Sequence, residues 1–105
     1  MNGLPFIETK IIELLLNTAM KNGAKFFSVF DGEEYECPMS EDIDEVKAAI
    51  GVSDETTIKM YDEHDLFLGS VFLVHGNLED VISDCTANEW TDEVMAVIEK
   101  EIYGS

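Results

Sequence analysis

The chain contains no arginine and only six lysines against 23 aspartates and glutamates, a formal net charge of −17 over 105 residues. Phosphates are held by cationic side chains that displace counterions, so this shortage argues against direct recognition of nucleic acid. It also makes phosphoryl or dinucleotide chemistry awkward. An anionic membrane surface would repel the chain for the same reason. Cysteine is equally scarce. Cys37 and Cys85 stand far apart, with no C-x-x-C and no metal-finger spacing, so free thiols are expected rather than a bridge. No run approaches the roughly 18 apolar residues of a membrane-spanning helix. The start, Met1-Asn2-Gly3-Leu4-Pro5, lacks the basic and apolar segments of a secretory signal. A cytoplasmic location is the expectation. The glycines occur singly, and no phosphate-cradling loop, G-x-S-x-G, H-E-x-x-H or EF-hand pattern is present.

What is present is enough for a core. Hydrophobic residues make up 46% of the chain, too many for a disordered acidic tail, and the length suits one domain. Residues 1–105 are therefore read as a single acidic α+β domain.

Residues 5–22 carry Ile12, Leu15, Leu16, Ala19 and Met20 at the three- and four-residue steps of one helical face. Pro5 suits the first turn and Asn22-Gly23 a left-handed stop. The run 25–30 and the run 33–37 flank Asp31-Gly32, a hairpin signal, with Pro38 ending the second strand. Phe26, Phe27, Val29 and Phe30 offer apolar groups to both faces, so the pattern leaves the register open. Ser40 or Asp42 caps a second helix whose stripe is Ile43, Val46 and Ile50, closed by Gly51. Thr56 to Tyr61 alternates, with Ile58 and Met60 on one side and Thr57, Lys59 and Tyr61 on the other. After the turn Asp62-Glu63-His64-Asp65, Leu66 to Val74 is the most apolar run and is expected to be the central strand, with Gly69 at a bulge. Asn77 is expected to cap a short helix presenting Leu78, Val81, Ile82 and Cys85. A last helix from about Thr91 should bury Val94, Val97, Ile98 and Ile102. The predicted architecture is α+β: a four-stranded, mostly antiparallel sheet made of two hairpins, with three to four helices packed chiefly on one face, in the order α-ββ-α-ββ-α-α.

Few residues suggest chemistry. The turn Asp62-Glu63-His64-Asp65 mixes oxygen ligands with an imidazole and selects no particular metal. It supports only an alternative reading, a small metal-dependent or catalytic domain. Cys37, Cys85, His64 and His75 show no spacing that ties a nucleophile to a base. Neither a cofactor nor a metal is expected, and the chain is read as no enzyme. Trp90, with Glu89, Asp92 and Glu93 around it, is read as a staple at a helix start, with an aromatic anchor for a protein partner in an acidic rim as the other reading.

Charge carries the functional expectation. Residues 1–30 balance at +1, while 31–105 carry −18. Solubility needs only about 2–8 net charges in a small domain, and dense like charge costs the folded state stability. Arrays of carboxylates steer association with basic surfaces. The expected function is a non-enzymatic acidic binding protein docking on a basic protein surface. That partner is expected to be a nucleic-acid-binding enzyme or complex, inhibited in the manner of an immunity protein or DNA mimic. An adaptor domain with no inhibitory role is the second alternative. The expected contact residues are Asp31, Glu33, Glu34, Glu36, Glu41, Asp42, Asp44 and Glu45, with Asp62, Glu63 and Asp65 as a second edge.

Overall fold

A computed structural model describes residues 3–104, with Tyr103 described in its backbone only. The Met1-Asn2 start lies outside the described residues. The first helix, α1 (Phe6–Lys21), follows Pro5 and ends at Asn22, with Gly23 at φ +100° turning the chain back. Ile11, Ile12, Leu15, Leu16 and Ala19 are buried along it, the stripe that the helical spacing predicts, whereas Met20 is exposed.

Strands β1 (Phe26–Phe30) and β2 (Tyr35–Ser40) pair antiparallel. Asp31 shapes their turn. Its carboxylate accepts the N–H groups of Glu33 and Glu34, both at 2.8 Å, and Gly32 stands at φ +106°. Glu33 and Glu34 are thereby spent in the turn, so β2 begins two residues later than its composition suggests. It also runs on through Pro38 instead of stopping there. Pro38 is tolerated because β2 is an edge strand, where a missing N–H breaks no ladder, and its pairing is irregular. Helix α2 (Ile43–Ala49) is capped by the Asp42 carboxylate, which accepts from Asp44 N (3.0 Å) and Glu45 N (3.4 Å).

Strands β3 (Glu55–Tyr61) and β4 (Phe67–Val74) form the second hairpin. Asp62 accepts from His64 N and Leu66 N in their turn, and Asp65 takes φ +63°. Residues 77–85 differ from the expectation. A 3-10 turn (Leu78–Asp80) leads into a fifth strand, β5 (Ile82–Cys85), where a helix was predicted. The spacing of Leu78, Val81, Ile82 and Cys85 imitates a helical stripe, but the outer side of β4 carries backbone groups that need partners. Val74 N–H donates to the Val81 carbonyl (2.8 Å) and Thr86 N–H to the Ser70 carbonyl (2.9 Å), and pairing wins. Asn77 caps nothing with its side chain.

The sheet is therefore five-stranded and antiparallel, in the order β2-β1-β3-β4-β5. The centre is β3, not the more apolar β4. At the outer edge the Cys85 N–H donates to the Asp84 carboxylate (2.8 Å) rather than to a neighbouring strand.

One face of this sheet is the core floor. Phe27, Val29, Cys37, Ile58, Met60, Val71 and Leu73 point into it and meet Leu15, Leu16, Val46, Val94 and Ile98 from the helices. The last helix, α3 (Glu89–Tyr103), starts two residues earlier than predicted. Asn88 accepts from Thr91 N (2.8 Å) and donates to the Leu68 carbonyl (2.9 Å), fixing that start. Gly69 lies directly beneath it, paired regularly with Met60, the irregularity falling one step further on. A Cβ there would meet Thr91 Oγ1 and the Trp90 ring. Trp90 Nε1–H donates to the Asn22 carbonyl (2.7 Å), so this residue staples α3 to the end of α1. Val97, expected inside, is 43% exposed. Among the described residues no helix is long and apolar enough to cross a membrane.

Candidate functional site

The strand alternation that sends Phe27, Val29, Ile58 and Met60 inward, where the helices pack, sends their neighbours to the other face, which no helix covers among the described residues. Register places these neighbours in three rows. The first is Tyr35, Phe30, Thr57, Phe72 and Asp84. The second is Ser28, Lys59 and Ser70, extended by the hydroxyl contact between Ser70 and Thr86 (2.9 Å). The third is Phe26, Tyr61 and Phe67. Six of the chain's ten aromatic residues thus share one open face. Phe67 is 51% exposed and Tyr35 47%. Phe30 and Tyr35 stack tilted at 4.9 Å, and Tyr61 meets Phe67 edge-on at 5.8 Å.

Lysines stand over some of these rings. Lys59 Nζ lies 5.5 Å from the Phe30 centroid and 5.2 Å from that of Tyr35, and donates to the Tyr35 hydroxyl (2.7 Å). That hydrogen bond raises the lysine pKa above its ordinary value. Lys25 lies 5.7 Å over Phe26. Ser28, 3% exposed and paired with Lys59 in register, has an Oγ with no hydrogen-bond partner.

The predicted acidic residues do not form one patch. Phe30 pairs with Thr57, so the β1–β2 turn comes to the end of the sheet where β3 begins. Asp31 and Glu33 there line a depression of about 360 Å³ with Ser53, Asp54 and Glu55. Asp54 and Glu55 were not among the sequence candidates. Two backbone N–H donors, from Glu34 and Glu33, hold the Asp31 carboxyl below its ordinary range, and the neighbouring Glu36 carboxyl contributes. Glu36, hydrogen-bonded to the Asp31 carboxylate, is pushed up.

At the far end of β2, Glu41, Asp42, Asp44 and Glu45 surround the start of α2. Phe26 pairs with Tyr61 and Phe27 with Ser40, so Asp62, Glu63 and Asp65 lie at that same end of the sheet. Glu41 is 3.9 Å from Lys25. Asp42 is occupied as a cap and Asp62 as a turn brace. The stretch 31–45 is thus divided along the length of β2, and the segment 62–65 joins its second half.

Among the described residues no group of three or more His, Cys, Asp or Glu side chains is arranged to hold a metal. His64 faces solvent beside Glu63, at 3.4 Å. Cys37 is in the core in mid-strand, not at a strand end, and Cys85 sits half-buried on β5 rather than on a helix. Burial pushes both thiols up, with Glu45 adding to the effect at Cys37 and Asp84 at Cys85.

One polar cluster escaped the sequence reading. Glu8 is fully buried, and its carboxylate accepts from Gly76 N (3.0 and 3.2 Å) and Leu78 N (3.0 Å). His75 Nδ1 is 3.6 Å away, and His75 Nε2 lies 2.8 Å from Thr56 Oγ1. The carboxylate–imidazole–hydroxyl order imitates a catalytic triad, but Thr56 is 2% exposed and closed to a substrate. Its visible work is structural: it ties α1 to the segment after β4, where Leu78 holds a left-handed φ of +55°.

Comparison with protein families, with curated proteins and with solved structures finds no match to this chain.

Proposed function

We propose that this chain is a non-enzymatic acidic docking protein that binds a basic protein surface of the kind that holds nucleic acid. One observation carries the reading: an uncovered aromatic sheet face lies between two carboxylate-rich ends. Asp31, Glu33, Asp54 and Glu55 stand at one end, and Asp62, Glu63 and Asp65 at the other. Aromatic anchors surrounded by a polar rim are the usual form of a protein-binding hot spot. The rim chooses the partner, because a net charge of −17 favours encounter with cations and repels phosphate.

Such a partner gives up counterions and nucleic acid when it accepts the carboxylates. The immobilised chain should therefore retain basic proteins from a native lysate at low salt and release them at high salt. Duplex DNA added at low salt should elute the same proteins. A variant with Glu33, Glu34 and Glu36 changed to lysine, all exposed on the β1–β2 hairpin, should retain much less while keeping its circular dichroism spectrum. Retention that ignores both salt and DNA would overturn the reading. Salt- and DNA-sensitive retention that the triple substitution leaves unchanged would move the contact to the 62–65 end.

A further inference from the structure

Resting on that docking reading, we infer that the open sheet face takes an arginine-rich segment of its partner, with guanidinium groups stacked on its rings and paired with its bordering carboxylates. The face already accepts cations in this way. Lys59 stands over Phe30 and Tyr35, and Lys25 over Phe26, all within the roughly 6 Å at which an ammonium is drawn to a ring face. Two further ring positions have no lysine over them among the described residues. Phe72 faces Asp84 directly across the β4–β5 register. The Tyr61–Phe67 pair closes the row beside Asp62, Glu63 and Asp65. Each thus sets an aromatic surface beside carboxylate oxygens.

That combination separates arginine from lysine. A guanidinium is planar, sheds water more easily than an ammonium, and uses its edge for a bidentate carboxylate pair while its face stacks. An ammonium is a compact point charge, drawn to a ring face as Lys59 and Lys25 are, but it cannot lie flat on the ring while pairing through two edge donors with an acid. The chain contains no arginine of its own, so nothing within it competes for these positions. Stacked bases would suit the rings equally well, but the carboxylates at both ends repel the phosphates that bases bring. An arginine-rich segment satisfies rings and rim together.

Calorimetric titration of the whole chain with octa-arginine and octa-lysine at equal, low salt tests the inference, with a single-stranded oligonucleotide as the third ligand. Octa-arginine should bind about five- to tenfold more tightly than octa-lysine. Phe67→Leu together with Phe72→Leu should bring that ratio to about one while the octa-lysine affinity stays as it was. Phe67→Leu alone, at a half-exposed position, should lower the ratio part of the way. Equal affinity for the two peptides in the unsubstituted chain would overturn the arginine inference and leave the acidic docking reading standing. Failure of both peptides to bind would remove both. Tighter binding of the oligonucleotide than of either peptide would also remove both.

Discussion

Replacing Glu8 with alanine should destabilise the domain far more than any other removal of an acid. A chain so negative should gain from losing most of its carboxylates, because each removal relieves repulsion. Glu8 is different: it is fully buried and receives N–H groups from Gly76 and Leu78. Hydrogen bonds to an ionised group contribute about 1.5–3 kcal/mol each. Alanine forfeits two such donors and leaves a void under α1. Gly76 and Leu78 are themselves exposed, so water can reach part of the vacated site and moderate the loss. The expected net cost is about 3 kcal/mol, a large share of the roughly 5–15 kcal/mol that holds a domain together. At this chain length that corresponds to a melting temperature lower by about 12–24 °C. Glu8→Gln keeps the shape and one acceptor oxygen, and should lose about half as much. Urea unfolding followed by circular dichroism measures both, and the slope of the transition should stay the same. If both variants unfold within about 0.5 kcal/mol of the parent, the carboxylate is not the tie between α1 and the segment after β4.

Two other outcomes follow from local geometry. Gly69→Ala sets a methyl group against Thr91 Oγ1 and the Trp90 ring and should cost about 1–3 kcal/mol through overpacking, read from the same urea midpoint; a neutral result would mean that the start of α3 gives way freely. The Asp31–Glu36 pair makes opposite contributions to pH dependence. Asp31, held low, adds stability above its ordinary value of 3.8 that is lost as the pH falls through its lowered pKa. Glu36, held high, adds stability below its ordinary value of 4.5 that is lost as the pH rises through its raised pKa. Carboxyl NMR titration should find Asp31 below and Glu36 above those values, with Asp31→Asn returning Glu36 downward. Ordinary values for both would show that the two carboxyls do not share a hydrogen bond.

The parts of the fold legible from sequence are those fixed by neighbours in the chain. The Thr56–Tyr61 alternation places Ile58 and Met60 inward as read, the α1 stripe lies where the spacing puts it except at Met20, and Asp42 is one of the two caps the pattern offers. Residues 26–30 resisted because apolar side chains stand on both faces; only pairing with β3 shows that Phe27 and Val29 belong to the core and Phe26 and Phe30 to the open side. Residues 77–85 misled because a helical spacing coincided with a segment that β4 needed as a partner. Glu8 was invisible because its donors are backbone groups 68 and 70 residues away. The acidic candidates were legible as surface, but their grouping was not, since contiguity along 31–45 becomes two separate ends once β2 lies straight. The aromatic face could have been found from the residues out of phase with the core, had the register been known.

The two margins of the sheet have a consequence for what the molecule is able to meet. Along β2 a proline withholds a donor, and along β5 the Asp84 side chain occupies one that a newcomer would want. Lengthening the ladder with a strand from another chain is discouraged on either flank, and so is growth into fibrils. A partner docked as proposed would lie across the strands and be gripped by side chains, with no need to be unfolded or extended when it arrives.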